Sequence, residues 1–472
     1  MDLPLRQRSF EPHRVAVTQH KTASQASPEG FKDVLSNASV LVIDDEPGMR
    51  NFLKKTLTEY CARVDVAADT DEAALFLDQA NYDIIILDNV MPKKKGVDWL
   101  AEQKKIGLYS DAILMTAYAD LETAIAAIRA GASDFLLKPF RSNQILNAIT
   151  QNLKRSNLSR QNLILRNELE AGQDLLRHRH ALIGNSDLIQ KVRNTIEHAA
   201  SIDAHVVICG EVGAGKQIAA RMLHDRSARS DCPFVWLQCH GLNEEAFKST
   251  LFGRVDASAE SDMETRGLLL NAKGGTLFLE DVERLPPACQ NLLVELLTTG
   301  RFRPIGAERS FPVDVRIVCS TTLALKDAVQ ESTFRTDLYY LLNIHEITLP
   351  PLRERVEDIV ALAEFFREKL VARMGVPAPE ISASAKRRLM AHEWPGNVME
   401  LRNIVERALI RGTFDSVVDI GQNNTEPQSL AAVERRHILS VLDACSGNRA
   451  EAARRLGVAR KTIDRKCQTW GV

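Results

Sequence analysis

Between Ser39 and Leu153, short apolar runs alternate with stretches of helical periodicity. Ser39–Ile43, Val64–Ala67, Ile84–Leu87, Ala112–Met115 and Asp134–Leu137 read as five buried strands, and Pro47–Tyr60 and Asp71–Gln79 as amphipathic helices between them. Strands alternating with helices predict a doubly wound parallel sheet, which binds ligands at the carboxyl ends of its strands. A second apolar strand-like run, Val206–Cys209, leads into the glycine-rich segment 210–216 and a helical pattern from Gln217 to Leu223. Near the end, Leu430–Cys445 places apolar residues at Leu430, Val433, Ile438, Val441 and Leu442. Gly447–Val458 and Ala459–Trp470 follow as a helix, a glycine-centred turn and a second helix. In between, Leu158, Leu165, Leu169 and Leu176 lie along one helical seam, which suits either a short coiled coil or a single amphipathic helix packed on a neighbour.

Composition narrows the class. A length of 472 residues suits about three domains, and 45% hydrophobic with 26% charged residues is a globular balance. No apolar run approaches the roughly 18 residues of a membrane-spanning helix, and Met1–Ser36 has no signal-peptide pattern. That segment is expected to be a disordered extension without chemistry. The eight cysteines are scattered with no C-x-x-C pair, which points to reduced thiols in a cytoplasmic protein. Boundaries are expected at 1–36 for the extension, 37–155 for the first domain and 156–180 for a helical linker. A central domain over 181–412, a linker over 413–428 and a terminal domain over 429–472 complete the division.

The polar residues of the first domain gather at strand ends. Asp44 and Asp45 follow the first strand, Asp88 the third, Thr116 ends the fourth, and Lys138 follows the fifth. Three carboxylates in one pocket repel one another unless a cation sits among them, and oxygen-only ligands suit Mg2+. Such a cation also neutralises an incoming phosphoryl group, which Lys138 and Thr116 can contact. A lone strand-end Asp is usually a cap or turn residue, but five polar residues at matching strand ends weigh against that reading.

Leu-Val-Ile-Asp-Asp-Glu (41–46), Asp-Asn-Val-Met-Pro (88–92) with Gly96, Met-Thr-Ala (115–117) and Leu-Lys-Pro-Phe (137–140) resemble a response-regulator receiver. The resemblance implies Asp88 as phosphoacceptor and Asp44 and Asp45, with Asp88, as Mg2+ ligands. It also implies Thr116 and Lys138 as phosphate readers and Phe135 as the switch aromatic.

In the central domain, Gly210, Gly213 and Gly215 let the backbone turn its N–H groups toward phosphate, and Lys216 adds positive charge. Gln217 stands where the general phosphate-loop pattern has Ser or Thr. The apolar run of Gly274–Asp281 ends in the acids Glu280 and Asp281, as a Mg2+ and water-activating site would require. The stretch 182–409 is similar to the AAA+ domain of NtrC-type sigma-54 activators. The resemblance rests on Gly-Glu-Val-Gly-Ala-Gly-Lys (210–216), Leu-Phe-Gly (251–253), Gly-Gly-Thr-Leu-Phe-Leu (274–279) and Phe-Arg-Thr-Asp-Leu-Tyr-Tyr (334–340). Leu-Pro-Pro-Leu-Arg-Glu-Arg (349–355) and Trp-Pro-Gly-Asn-Val (394–398) extend it.

The departures from that family fall on working parts. Its acidic pair is Asp then Glu, whereas here Glu280 precedes Asp281. A misplacement of about 1 Å can cost roughly a hundredfold in rate. Thr322 stands at the sensor asparagine and Gln238 at the asparagine that holds the catalytic acid. Of two arginines serving a neighbouring subunit, Arg335 remains and the other is Leu341, while the arginine after Trp-Pro-Gly-Asn is Met399. Arginine fingers are worth roughly 10³–10⁵ in rate. Ala257–Asp262 replaces the family's Gly-Ala-Phe-Thr-Gly-Ala loop that grips sigma-54, losing its aromatic and glycines. These departures predict retained ATP binding with weak or absent hydrolysis, and no sigma-54 remodelling.

Between Leu430 and Val472, nine basic residues against four acids leave a charge of +5, suited to a phosphate backbone. Arg460, Lys461, Thr462, Arg465 and Lys466 are expected to face outward from the second helix. This segment resembles the Fis-type helix-turn-helix of NtrC-type regulators, which implies a dimer paired through 430–445 that reads a near-palindromic duplex.

The expected whole is a multidomain α/β chain: a flavodoxin-like receiver, an AAA+ domain with a helical lid, and an all-α DNA-binding domain. Phosphorylation of Asp88 by a sensor histidine kinase would control promoter occupancy and RNA polymerase, in a homodimer or higher oligomer with no membrane partner. Two alternatives stay open: a sigma-54-dependent ATPase, and a nucleotide-sensing scaffold.

Overall fold

The computed structural model describes residues 28–108, 110–117, 121–170, 182–255, 267–322, 324–377, 379–414 and, with short gaps, 434–470. Two five-stranded parallel sheets organise it. The first has the order β2-β1-β3-β4-β5, from β1 (Ser39–Ile43), β2 (Arg63–Ala67), β3 (Ile84–Asp88), β4 (Asp111–Thr116) and β5 (Asp134–Leu137). All five residues of β3 are buried, as a central parallel strand covered on both faces must be. One face packs Leu53, Leu57, Ile145 and Ile149; the other packs Ala73, Leu77, Trp99 and Ala127.

The chain before Ser39 corrects one expectation. Pro28–Leu35 forms a helix, α1, and Phe31 and Leu35 are buried in the first core. Burying two large apolar side chains contributes roughly 1.5–3 kcal/mol each. Two apolar residues among polar neighbours were too sparse a pattern to signal this; residues 1–27 lie outside the described ones. The expected boundary near 155 is also bridged. A single helix, α6, runs from Ser142 to Glu170, buries Ile145, Ile149 and Leu153 in the first core, and continues with Leu158 exposed. The side chains of Leu165, Leu169 and Leu176 lie outside the described residues.

The second sheet has the order β12-β6-β11-β8-β7, again parallel. Its strands are β6 (Val206–Cys209), β7 (Phe234–Gln238), β8 (Thr276–Glu280), β11 (Arg316–Thr321) and β12 (His345–Thr348). A hairpin of two short strands, β9 (Arg301–Phe302) with β10 (Phe311–Pro312), stands beside it. The first module docks on this hairpin and on Lys273, through Asp83 at the foot of its sheet and Asp78 on the helix Thr70–Gln79. Lys273 Nζ donates to Asp83 Oδ1 at 2.8 Å, Arg301 Nη1 to the Asp78 carbonyl at 2.9 Å, and Arg309 pairs with Asp78.

A second compact unit comprises 359–393 and 400–472. Its helices bury Phe366, Leu370, Leu389, Leu401 and Val405. In its terminal part, the helices Arg449–Arg455 and Arg460–Trp470 pack Ala452 and Ala453 against Ile463 and Cys467. Small residues at 452 and 453 permit the close crossing. Among the described residues, no helix is long and apolar enough to cross a membrane.

Candidate functional site: a phosphoacceptor pocket, a phosphate loop and a basic helix

The strand ends of the first sheet bring the expected acids together. Carboxylate oxygens of Asp44, Asp45 and Asp88 lie within 4.8 Å of one another, with Asp44 and Asp88 buried and Asp45 exposed. Lys138 Nζ bridges Asp44 Oδ2 at 2.8 Å and Asp88 Oδ2 at 2.9 Å. The Glu46 amide donates to Asp44 Oδ1 at 2.9 Å, fixing that carboxylate. Burial raises the Asp88 pKa, and the Lys138 hydrogen bond and charge pull against it. Burial likewise opposes the charge on Lys138, but its bonds to Asp44 and Asp88 raise its pKa above the ordinary value. Thr116 is buried at the end of β4, and its carbonyl accepts from the Lys138 amide at 2.8 Å. Phe135 is exposed. Gly96 is required sterically: a Cβ there would sit 2.2 Å from the Asp88 carbonyl oxygen.

This oxygen-rich donor set fits a hard divalent cation, which Asp44, Asp45 and Asp88 would hold.

In the second module, β6 ends in the loop 210–216, where Gly213 and Gly215 adopt positive φ of 75° and 107°. The loop feeds α8 (Lys216–Asp225), whose first residue is buried and donates from Nζ to the Gly210 carbonyl at 2.8 Å. A glycine loop opening a helix, with an ammonium folded into it, fits a nucleotide polyphosphate. Gln217 is half-buried in the first turn.

The loop is braced from behind by residues whose motifs the sequence displayed without revealing how they pair. Asn397, buried at φ 50°, donates from Nδ2 to Glu211 Oε2 and to the Val212 carbonyl, and accepts from the Leu352 amide. Arg353 forks onto both Glu211 carboxylate oxygens at 2.7 and 2.9 Å. Gly213 admits the Gly396 carbonyl, which a Cβ would meet at 2.3 Å. Met399 stands exposed beside it.

The two strand-end acids diverge. Glu280 Oε2 accepts from Trp236 Nε1 at 3.0 Å, while Gln238 is exposed. Asp281 adopts a left-handed conformation, φ 54° and ψ 54°, and starts a short turn. Burial raises both their pKa values, aided by Asp281 in the case of Glu280 and by Glu283 in the case of Asp281. Arg335 is exposed and engaged by Asp337 and Asn291. The segment 257–262 lies outside the described residues.

In the terminal helices, Asn448 caps the first by accepting from the Glu451 amide, and Gly457 makes the turn at φ 67°. Arg460, Lys461 and Arg465 are exposed and Thr462 is half-buried. Lys466 departs from the expected outward face. It pairs with Glu434 and lies 5.7 Å from the Trp470 ring, so it staples helices together. Its spacing alone could not reveal this, because the partner carboxylate lies on a different helix.

Family models match in chain order: a response regulator receiver domain over 40–150 and a sigma-54 interaction domain over 182–348, then an AAA+ ATPase lid domain over 353–422 and a bacterial regulatory protein of the Fis family over 429–469. The chain belongs to the NtrC-type response regulators, multidomain α/β transcription regulators. It is 34% identical over 439 residues to the transcriptional regulatory protein ZraR of Klebsiella oxytoca, covering 90% of this chain and 97% of that one. It is also 34% identical over 442 residues to the C4-dicarboxylate transport transcriptional regulatory protein DctD of Rhizobium meliloti, covering 92% and 95%. Among solved structures, NtrX from Brucella abortus in complex with ATP is 29% identical, with a TM-score of 0.49 over 92% of this chain and 100% of that one.

Proposed function

We propose that phosphoryl transfer to Asp88 controls how the basic helix Arg460–Trp470 occupies duplex DNA, with the central module acting as a nucleotide-binding assembly frame. The observation that carries this reading is the bridging of Asp44 and Asp88 by Lys138. A carboxylate oxygen of Asp88 attacks the phosphorus of a kinase phosphohistidine. The P–N bond breaks, the imidazole nitrogen takes a proton, and an acyl phosphate forms. Lys138, freed from Asp88, pairs with the new phosphate, and the Thr116 hydroxyl donates to it. Mg2+ held by Asp44, Asp45 and Asp88 supplies charge neutralisation when bound.

Arg460, Lys461, Thr462 and Arg465 meet the DNA; a homodimer reads a near-palindromic site and acts on RNA polymerase. Gly210, Gly213, Gly215, Lys216 and Gln217 bind the nucleotide. Glu280 turned to Trp236, and Arg335 tied to Asp337, support weak turnover.

A second reading, a sigma-54-dependent ATPase, is favoured by the sigma-54 interaction match over 182–348. Phosphate release by the purified chain, with and without acetyl phosphate, separates the two. Negligible release with phosphorylation-dependent DNA binding is expected; robust release abolished by Lys216→Ala would overturn the frame reading.

A further inference from the structure

Beside the two strand-end acids stands a third carboxylate that the strand-end pattern hides. Glu283 lies in the turn after Asp281, and its Oε1 accepts from both the Thr322 hydroxyl, at 2.5 Å, and the Thr322 amide, at 3.0 Å. Thr322 follows directly on β11, the strand next to β6 and its phosphate loop. Two donors from one residue pin the carboxylate at the carboxyl ends of the central strands. Its second oxygen, Oε2, is buried and has no hydrogen-bond partner. A buried carboxylate oxygen without a hydrogen-bond donor is a negative charge that only longer-range partners can offset.

Lys216 feels this crowding. Burial lowers its pKa, while Asp281, Glu283 and Glu280 all act on its ammonium in the opposite sense. Burial pushes the Cys209 thiol, at the end of β6, up to about 12, with Glu283 among the charges adding to it. Glu283 also acts on Cys319 in β11. The carboxylate thus sits past the ends of β8 and β11, within electrostatic reach of the lysine that in phosphate loops meets the β- and γ-phosphates. A divalent cation and one ammonium must then balance three protein carboxylates before any terminal phosphate arrives.

We propose that Glu283, pinned by Thr322, makes the phosphate-loop site select nucleoside diphosphate over triphosphate. The selectivity rests on the nucleotide-binding frame described under the proposed function and deepens it. A diphosphate places its charge against the loop amides and Lys216. A triphosphate adds a further charged group toward the Glu283 carboxylate. Like charges within about 4–6 Å oppose each other by roughly a tenfold factor or more in a partly buried site. A site that favours the diphosphate is suited to stable assembly, not cyclic remodelling.

The test is competition binding on the full-length protein in Mg2+, with a fluorescent diphosphate displaced by ADP or by the imido analogue of ATP, which reports binding apart from turnover. Wild type is expected to prefer ADP by about tenfold or more. Glu283→Gln keeps an acceptor for Thr322 but removes the charge, and should bring the ratio near one. Thr322→Val keeps the charge but unpins it, and should give an intermediate ratio; it decides the matter if Glu283→Gln does not fold. Equal affinity in wild type, no binding of either nucleotide, or an unchanged ratio in both variants overturns the proposal. Phosphate release on the same samples judges the frame reading separately. Robust Lys216-dependent release with an intact ADP preference sinks that reading and leaves the selectivity standing.

Discussion

Lys273 reaches the Asp83 carboxylate at 2.8 Å, tying the second module to the foot of the strand whose other end is Asp88. Strand β3 spans roughly 17 Å at its ordinary rise, so docking and phosphoacceptor chemistry occupy opposite ends of one rigid element. Burial would raise the Asp83 pKa, but the Lys273 charge and the bonds from Lys273 and Ser39 outweigh it and hold the carboxyl below its ordinary value. A depressed carboxylate contributes stability that is present above the unfolded pKa and is lost as pH falls through the folded one. Asp83→Asn and Lys273→Met should each loosen the docking. A double-mutant cycle on thermal unfolding should give a coupling of about 1 kcal/mol at neutral pH, vanishing in acid.

Gly96→Ala tests the close approach beside the phosphoacceptor. The added Cβ would meet backbone atoms of Asp88 and Asn89, which cannot swing aside as a side chain can. The expected result is loss of acetyl-phosphate labelling at Asp88 and a stability loss of roughly 1–3 kcal/mol. Labelling at the wild-type rate would show that the loop relaxes freely.

Asn397→Ala removes a buried amide that joins the phosphate loop to the segment before the helix Val356–Met374 and leaves Glu211, Val212 and Leu352 short of partners. It also places Ala at φ 50°, where Asn is tolerated better. Destabilisation of about 2–3 kcal/mol is expected, together with weakened ADP binding. Calorimetry and nucleotide titration on the same variant read both effects.

His224 makes stability depend on mild acid. Burial, with the nearby Arg221 charge, lowers its pKa to about 4, and its ring Nδ1 meets the Thr276 hydroxyl at 2.9 Å. The unfolded chain therefore binds the proton first. Stability is full above about pH 6.5 and falls as pH drops toward 4, by on the order of 3 kcal/mol for this group. Unfolding midpoints between pH 7 and 4 should show the fall, and His224→Gln should flatten it; a wild-type slope in the variant would assign the dependence to other groups.

The terminal helix offers two lysine and arginine positions with opposite outcomes. Arg465→Ala should weaken binding to duplex oligonucleotides and reduce the salt slope by about 1, leaving the fold intact. Lys466→Ala loses the pairing with Glu434 and the Trp470 contact, so its main effect should be on thermal unfolding. Equal salt slopes for the two variants would place Lys466 on the DNA face after all.

By themselves, the residues determined where the chemistry of the first module gathers. Buried parallel strands are apolar on both faces, so the first polar residue after each run marks a carboxyl end, and Asp44, Asp88, Thr116 and Lys138 were legible on that ground. The glycine loop before Lys216 and the turn at Gly457 were legible as well, since their backbone geometry demands particular residues. Tertiary structure alone decided the pairs that join distant segments: Glu283 with Thr322, Asn397 with Glu211, Asp83 with Lys273, and Lys466 with Glu434. It also decided that Phe31 is core. Periodicity reports which face of an element is apolar, whereas the partner of a polar side chain depends on how separate elements come together in space.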